Sequence, residues 1–394
     1  MNTSHLGKQI VLKNKEERRI VAGHPWVFSN EIRETKGSPQ QGDIVELLAA
    51  SGLTLGVGIF NPHSLISLRL LSRAIEEIDV PFFRKRIENA LSLRRALFPA
   101  ADAYRLVHGE GDLLPGLIID KYGGQFTVQT FAFGMDLRLE AICDILDELF
   151  HPAGIAERNE SPLRLLDGLP QKKGTLRGTV QPVQIEEHGI RYRIDTLEGQ
   201  KTGFFLDQRE NRGAIRRYAA GARVLDCFCN DGGFSLNASI AGAASVLGVD
   251  SSAEAIARAS ANALLNNVGN VQFEQADVFE KLDALETEGA RFEIIVLDPP
   301  SFTKNRKAVT AAKQGYRDLH RKALKLLADG GFLFTASCSH HIDADVFLDL
   351  VDETARKAGR QLQLLDWRGA SPDHPTLPNV PETRYLKFGI FRLH

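Results

Sequence analysis

Apolar positions change their spacing along the chain, and each change predicts a different kind of structure. Over residues 1 to about 75 they fall in short β-rich runs, IVLKN, GDIVELLAA, LTLGVGIF and SLISLRLL, separated by Gly23-His24-Pro25, Ser38-Pro39, Ser51-Gly52 and Asn61-Pro62. Runs of that length between turn residues predict a small β domain or barrel. VPFFRKRIENALSLRRALF then sets Phe83, Ile87, Leu91 and Leu93 near one face of a helix, which Pro99 stops. Residues 100 to about 190 mix the two patterns. YRLVHGEGDLLPGLIIDKYGGQFTVQT reads as strands and turns, MDLRLEAICDILDELF as an amphipathic helix, and VQIEEHG and IRYRIDT as further strands. These segments predict an α+β middle domain.

From about residue 195 the alternation becomes regular. ARVLDCF, ASVLGVD, VQFEQAD, FEIIVLD and GGFLFTAS are candidates for buried strands, with helices expected at 233–241, 253–266 and 313–327. Alternating strands and helices predict an α/β fold, a doubly wound sheet with right-handed crossovers. Ligands of such sheets bind beyond the carboxyl ends of the strands, where strand order reverses. Four of the five ends carry an acid, Asp226, Asp250, Asp277 and Asp298, and the fifth runs into Ser337-Cys338-Ser339. Asp250 is placed to accept hydrogen bonds from a ribose diol, and Asp277 to meet an adenine amino group. Each acid could also cap the helix that follows it. The first loop, CFCNDGG, has Phe228 and Asn230 where a dinucleotide loop has glycines, and keeps Gly232 for close backbone approach. In IIVLDPPSF, Pro299 and Pro300 stiffen the turn after Asp298 and place Phe302 to stack on a planar base.

Composition narrows the class. The 394 residues suffice for two or three domains, and 43% hydrophobic with 25% charged content is that of a globular chain. No apolar run approaches the roughly 20 residues that span a bilayer. The polar start MNTSHLGKQIVLKNKEERR lacks the apolar centre of a signal peptide, which predicts a cytoplasmic protein. Four cysteines do not make a disulfide framework, and the Cys227-x-Cys229 pair has no second pair at zinc spacing, so no metal is expected. Net charge is −2, but residues 302–325 hold eight bases, among them Lys304, Arg306 and Lys307, against the single acid Asp318. Such a cluster suits RNA phosphates, and equally a solvated helix face.

The acid-tipped strand ends with Asp-Pro-Pro-Ser-Phe resemble a class I S-adenosylmethionine methyltransferase. Together with HPWVFSNEI (24–32), FNPHSLISLRLLSR (60–73), LVHGEGDLLPGLIIDKYG (106–123), EEHG (186–189), TGFFLDQRENR (202–212) and SCS (337–339), the chain is similar to the PUA-containing large-subunit ribosomal RNA cytosine-5 methyltransferases. The resemblance implies a PUA-like RNA-binding β-barrel at 1–75, a central α+β EEHG-type domain at 76–190 and a Rossmann-like methyltransferase domain at 191–394. It further implies S-adenosylmethionine as cofactor, ribosomal RNA as partner, and leaves a homodimer open. The cofactor contacts it implies are Phe205 and Gln208 in a closing segment, then Asp226, Phe228, Asn230, Gly232, Asp250, Ser251, Asp277, Val278 and Asp298. RNA would meet Pro299, Pro300, Phe302, Lys304 and Arg306.

Cytosine carbon 5 is a weak nucleophile, and a thiolate adding to carbon 6 makes it an enamine that can take a methyl group. This divides one hard step into two. Cys338 is the expected nucleophile, Asp298 the group that hydrogen-bonds the base, and the bases after Asp298 the cations that lower the thiol pKa. Many RNA cytosine-5 enzymes carry a second cysteine just after Pro-Pro; here that position is Ser301. A nitrogen methyltransferase of the same fold, needing no cysteine, and a non-catalytic RNA-binding protein are the rivals.

Overall fold

In the computed structural model, residues 7–199, 202–303 and 308–394 are described. They form two compact units that alternate along the chain. One holds the residues up to Ile185 together with Ile194–Leu206 and Pro372–Thr383, and the other holds Glu186–Arg193, Asp207–Ser371 and Arg384–His394.

The first unit contains two sheets. Strands β1 (Gln9–Leu12), β2 (Trp26–Phe28), β3 (Ile32–Lys36), β4 (Ile44–Leu48), β5 (Thr54–Phe60) and β6 (Ile66–Ser72) form a six-stranded sheet in the order β2-β6-β5-β4-β1-β3, with the short helix α1 (Glu17–Val21) between β1 and β2. His24 and Trp26 make hydrogen bonds within this unit. His24 is buried against Glu382, and the Trp26 indole nitrogen donates to Glu110 at 2.9 Å. Helix α2 (Val80–Leu97) starts where the Asp79 carboxylate accepts from the Phe82 amide. A second sheet follows, of β7 (Ala103–His108), β8 (Leu117–Tyr122), β9 (Gln125–Thr130), β10 (Gly154–Asn159) and β11 (Lys172–Gly178) in the order β11-β10-β9-β8-β7. Helices α3 (Phe133–Asp136) and α4 (Leu139–Phe150) join its third and fourth strands. Strands β12 (Val183–Glu187) and β13 (Ile190–Ile194) form a separate hairpin around the EEHG turn, whose residues Glu186–Arg193 belong to the second unit.

The second unit is built on a seven-stranded sheet of β14 (Arg223–Cys227), β15 (Ser245–Asp250), β16 (Val271–Gln275), β17 (Phe292–Leu297), β18 (Leu327–Ser337), β19 (Leu362–Arg368) and β20 (Lys387–Leu393). Its order is β16-β15-β14-β17-β18-β20-β19, with β16, β15, β14, β17 and β18 paired in parallel and β20 antiparallel to its neighbours β18 and β19. Five of these strands stand where the apolar runs predict them. Not foreseen were β19, β20 and the helices α8 (Val278–Thr287) and α10 (Ala344–Lys357). The remaining helices are α5 (Arg209–Ala214), α6 (Gly233–Ile240), α7 (Ala253–Leu265) and α9 (Val309–Leu326).

The continuous apolar strands follow from burial on both faces. Along β17, Ile294 and Val296 enter one core with Phe234 and Phe388, while Ile295 and Leu297 enter the opposite core with Leu319 and Phe347. A strand with two dry faces has no polar side, so its period-2 alternation is invisible in the sequence. The chain runs outward from β14 through β15 to β16, then resumes on the other flank with β17, so strand order reverses at β14.

Candidate active site

That reversal decides which acids meet. Asp226, Asp250 and Asp298 stand at or just past the carboxyl ends of β14 and its two neighbours, and Asp277 lies one strand further out. Asp226 is buried, and its Oδ2 accepts from the Ser235 backbone amide at 3.0 Å and from Ser235 Oγ at 2.6 Å. It therefore caps α6 from the strand. Burial pushes its carboxyl up to about 7 against these two hydrogen bonds, and the nearby Asp298 and Asp250 add to the rise.

The loop between β14 and α6 is wound tightly, with positive φ at Phe228 (65°), Asn230 (45°) and Gly232 (79°). A Cβ at Gly232 would come 2.8 Å from the Phe273 ring, so glycine is required on both counts. Asp250 holds this loop by accepting from the Asn230 amide at 3.0 Å and the Ser252 amide at 2.9 Å. Arg258 steadies the far side of the loop, donating to Asp231 at 2.5 Å and to Asn230 Oδ1 at 3.2 Å.

Other expected contacts also take part in the local structure. Asp277 is exposed and caps α8 through the Phe279 and Glu280 amides, and Val278 is a core residue. Ser251 is exposed, and its carbonyl accepts from Gln275. Gln208 reaches the site, donating from Nε2 to Asp298 Oδ2 at 2.9 Å, and its own Oε1 accepts from Asn211 at 2.7 Å. Phe205 is half-exposed and falls in the 194–206 segment of the first unit.

The EEHG turn has a structural task. Glu187, buried, grips the Arg212 guanidinium at 2.9 and 2.8 Å, which ties the DQRENR segment to the hairpin. Arg212 in turn packs against Gly233, where a Cβ would lie 2.3 Å from its Cδ.

Beyond Asp298, Pro299 is buried and Pro300 exposed. The Phe302 ring lies 4.7 Å from that of Tyr316 and 6.5 Å from that of Phe279, so it packs toward α9 and α8. Ser301 Oγ is 3.2 Å from Ser339 Oγ, Tyr316 Oη lies 3.2 Å from the same oxygen, and Tyr316 donates to Ser337 Oγ at 2.9 Å. A chain of hydroxyls thus links the Pro-Pro turn to the end of β18. Lys304 and Arg306 lie outside the described residues. Four of the five bases further on are paired: Arg317 with Glu353, Arg321 with Asp318, Lys322 with Asp283 and Lys325 with Glu286. That half of the basic run is a salt-bridged helix face.

Of the four cysteines, Cys143, Cys227 and Cys229 are buried and Cys338 alone is part-exposed. Burial raises the three buried thiols, Cys143 to about 12. Leu297 pairs with Thr335, so Cys338 stands two positions further along its strand than Asp298 does. The cation beside it was not foreseen. It is Lys387, the first residue of β20, directly across from Ser337. Among the described residues no group of three His, Cys, Asp or Glu side chains could hold a metal ion, and no helix is long and apolar enough to cross a membrane.

The site suits S-adenosylmethionine. Three carboxyl groups, with Asp298 and Asp250 close enough to raise the proton affinity of Asp226, favour a ligand carrying sulfonium and ammonium charges, and Asp250 and the Gly232 loop offer acceptors and close approach. Fold and site together define a methyltransferase. Residues 105–392 match the model of the S-adenosylmethionine-dependent methyltransferases and residues 10–73 that of the PUA-like domain, so the chain belongs to that methyltransferase family, among its members with a PUA-like domain. It is similar to the ribosomal RNA large subunit methyltransferase I of Shewanella amazonensis, 40% identical over 98% of this chain and 99% of the relative. The protein of that name from Tolumonas auensis is 37% identical over 97% of this chain and 98% of its own. A solved methyltransferase complexed with S-adenosylhomocysteine shares the fold, with a TM-score of 0.85 at 22% identity over 98% of this chain and 99% of that one.

Proposed function

We propose that the chain methylates large-subunit ribosomal RNA and that the product is 5-methylcytosine, formed through Cys338. The ribosomal substrate rests on the names of the full-length relatives. The observation that carries the carbon-5 reading is the placement of a part-exposed thiol beside the Asp298 turn, while the other three thiols are buried. The cofactor, when bound, supplies an electrophilic methyl group. The Cys338 sulfur bonds to carbon 6, the ring's π pair moves to carbon 5, and carbon 5 takes the methyl. The carbon 5 proton then leaves to a base, and the pair left behind expels the sulfur. Asp298, positioned by Gln208, hydrogen-bonds the cytosine edge as the charge shifts. The PUA-like domain docks the RNA.

Replacing Cys338 with Ala tests this reading. Methyl transfer should fall by several powers of ten while cofactor and RNA binding stay nearly unchanged, because the sulfur acts in the transition state. RNA carrying 5-fluorocytosine at the target should trap a covalent adduct with the native chain and none with Cys338→Ala. Ser301, standing where a second cysteine would be, favours the nitrogen-methylation rival. Full activity in Cys338→Ala would establish that rival.

A further inference from the structure

We infer that Lys387 is a positioning residue that holds Cys338 as a thiolate through a fixed ammonium group delivered by β20; the inference rests on Cys338 being the nucleophile. Antiparallel pairing sets Ser337 opposite Lys387, which brings the lysine to the strand end that carries the cysteine. The side chain is buried, 5% exposed, and Nζ donates to the Ser339 carbonyl at 2.7 Å and the Tyr385 carbonyl at 2.7 Å. Those two bonds use two of its three donors and aim the ammonium at the Ser337–Ser339 turn.

Both acceptors are neutral. Among the described residues no carboxylate lies within ion-pair distance of Nζ, and a buried cation without a counter-charge is costly. The groups whose charge Lys387 feels are Cys338 and Asp343. Cys338 and Asp298 both raise the Tyr316 phenol, whose hydroxyl donates to Ser337 Oγ, and the His340 ring lies 5.6 Å from that of Tyr385. A thiolate at Cys338 would supply a counter-charge in addition to that of Asp343, and the lysine would stabilise that thiolate in return. Burial pulls Lys387 down to about 8, against the attraction of Cys338 and Asp343. In the charged pair, sulfur has released its proton and nitrogen keeps its own.

A lysine that merely pinned the turn would leave the thiol's titration untouched, and that distinguishes the two roles. The measurement is the pH dependence of iodoacetamide alkylation at Cys338, read by peptide mapping on the full-length protein, in wild type, Lys387→Met and Lys387→Arg. Cofactor binding by calorimetry checks that each variant is folded. The wild-type midpoint should lie about one pH unit or more below the ordinary thiol value of about 8.5. Lys387→Met should raise it by about a unit or more, Lys387→Arg should restore most of the difference, and the pH profile of methyl transfer should move with the thiol. Equal midpoints in wild type and Lys387→Met would overturn the inference. Should Lys387→Met not fold, a wild-type midpoint at or above about 8.5 would overturn it by itself. Retained methyl transfer in Cys338→Ala would end the nucleophile reading and leave the thiol titration standing, so the two fail separately.

Discussion

Replacing Asp226 with Asn should change how stability depends on pH, and the structure sets the size. The carboxyl sits at about 7 against an ordinary 3.8, so the folded protein retains a proton that the unfolded chain releases between those values. Stability from this group is present in full below about pH 4 and lost as pH rises to about 7, because the folded state binds more protons throughout that window. Three pH units at about 1.4 kcal/mol each make the full effect about 4 kcal/mol, of which about 3 falls between pH 5 and pH 8. Asparagine cannot titrate, yet its carbonyl can still accept from the Ser235 amide and hydroxyl, so the capping of α6 survives. Relative to wild type, Asp226→Asn should thus gain about 3 kcal/mol on going from pH 5 to pH 8, whatever constant offset the new amide introduces. The chain has two tryptophans, Trp26 in the first unit and Trp367 in the second. In a Trp26→Phe background, Trp367 fluorescence reports unfolding of the second unit in urea at each pH. Parallel pH curves for the two proteins would refute the buried, proton-holding carboxyl.

Two other substitutions probe the site's supports. Asp250→Ala removes the acceptor of the Asn230 and Ser252 amides along with the expected ribose contact, and should weaken S-adenosylmethionine binding by about 2–4 kcal/mol in calorimetry; unchanged affinity would remove Asp250 from the cofactor site. Glu187→Gln leaves the Arg212 cation buried beside a neutral amide and should cost about 3–5 kcal/mol by the same Trp367 assay; a loss under about 1 kcal/mol would mean that water reaches the pair.

What the sequence determined by itself was the local part of this protein. The five parallel strands of the second unit are short apolar runs bounded by turns, and a strand buried on both faces must be such a run. Acids at their ends were visible because they follow those runs directly. What each acid does was not visible, since a carboxylate after a strand can face a ligand or cap a helix, and only the folded chain chooses. Asp226 and Asp277 cap helices, while Asp250 ties down the glycine loop. The sequence points to the bases after Asp298 as the cations beside Cys338, but four of the bases on α9 pair with acids on α8, α9 and α10. The lysine that reaches the thiol's turn bonds across 48 positions of sequence, because β20 enters the sheet antiparallel between β18 and β19. Glu187 finds Arg212 across 25 positions and Gln208 finds Asp298 across 90. Periodicity reports which face of an element is dry, and carries no information about which distant element comes to lie beside it. Strand order and pairing register decide that, and they are settled when the whole sheet closes over its two cores.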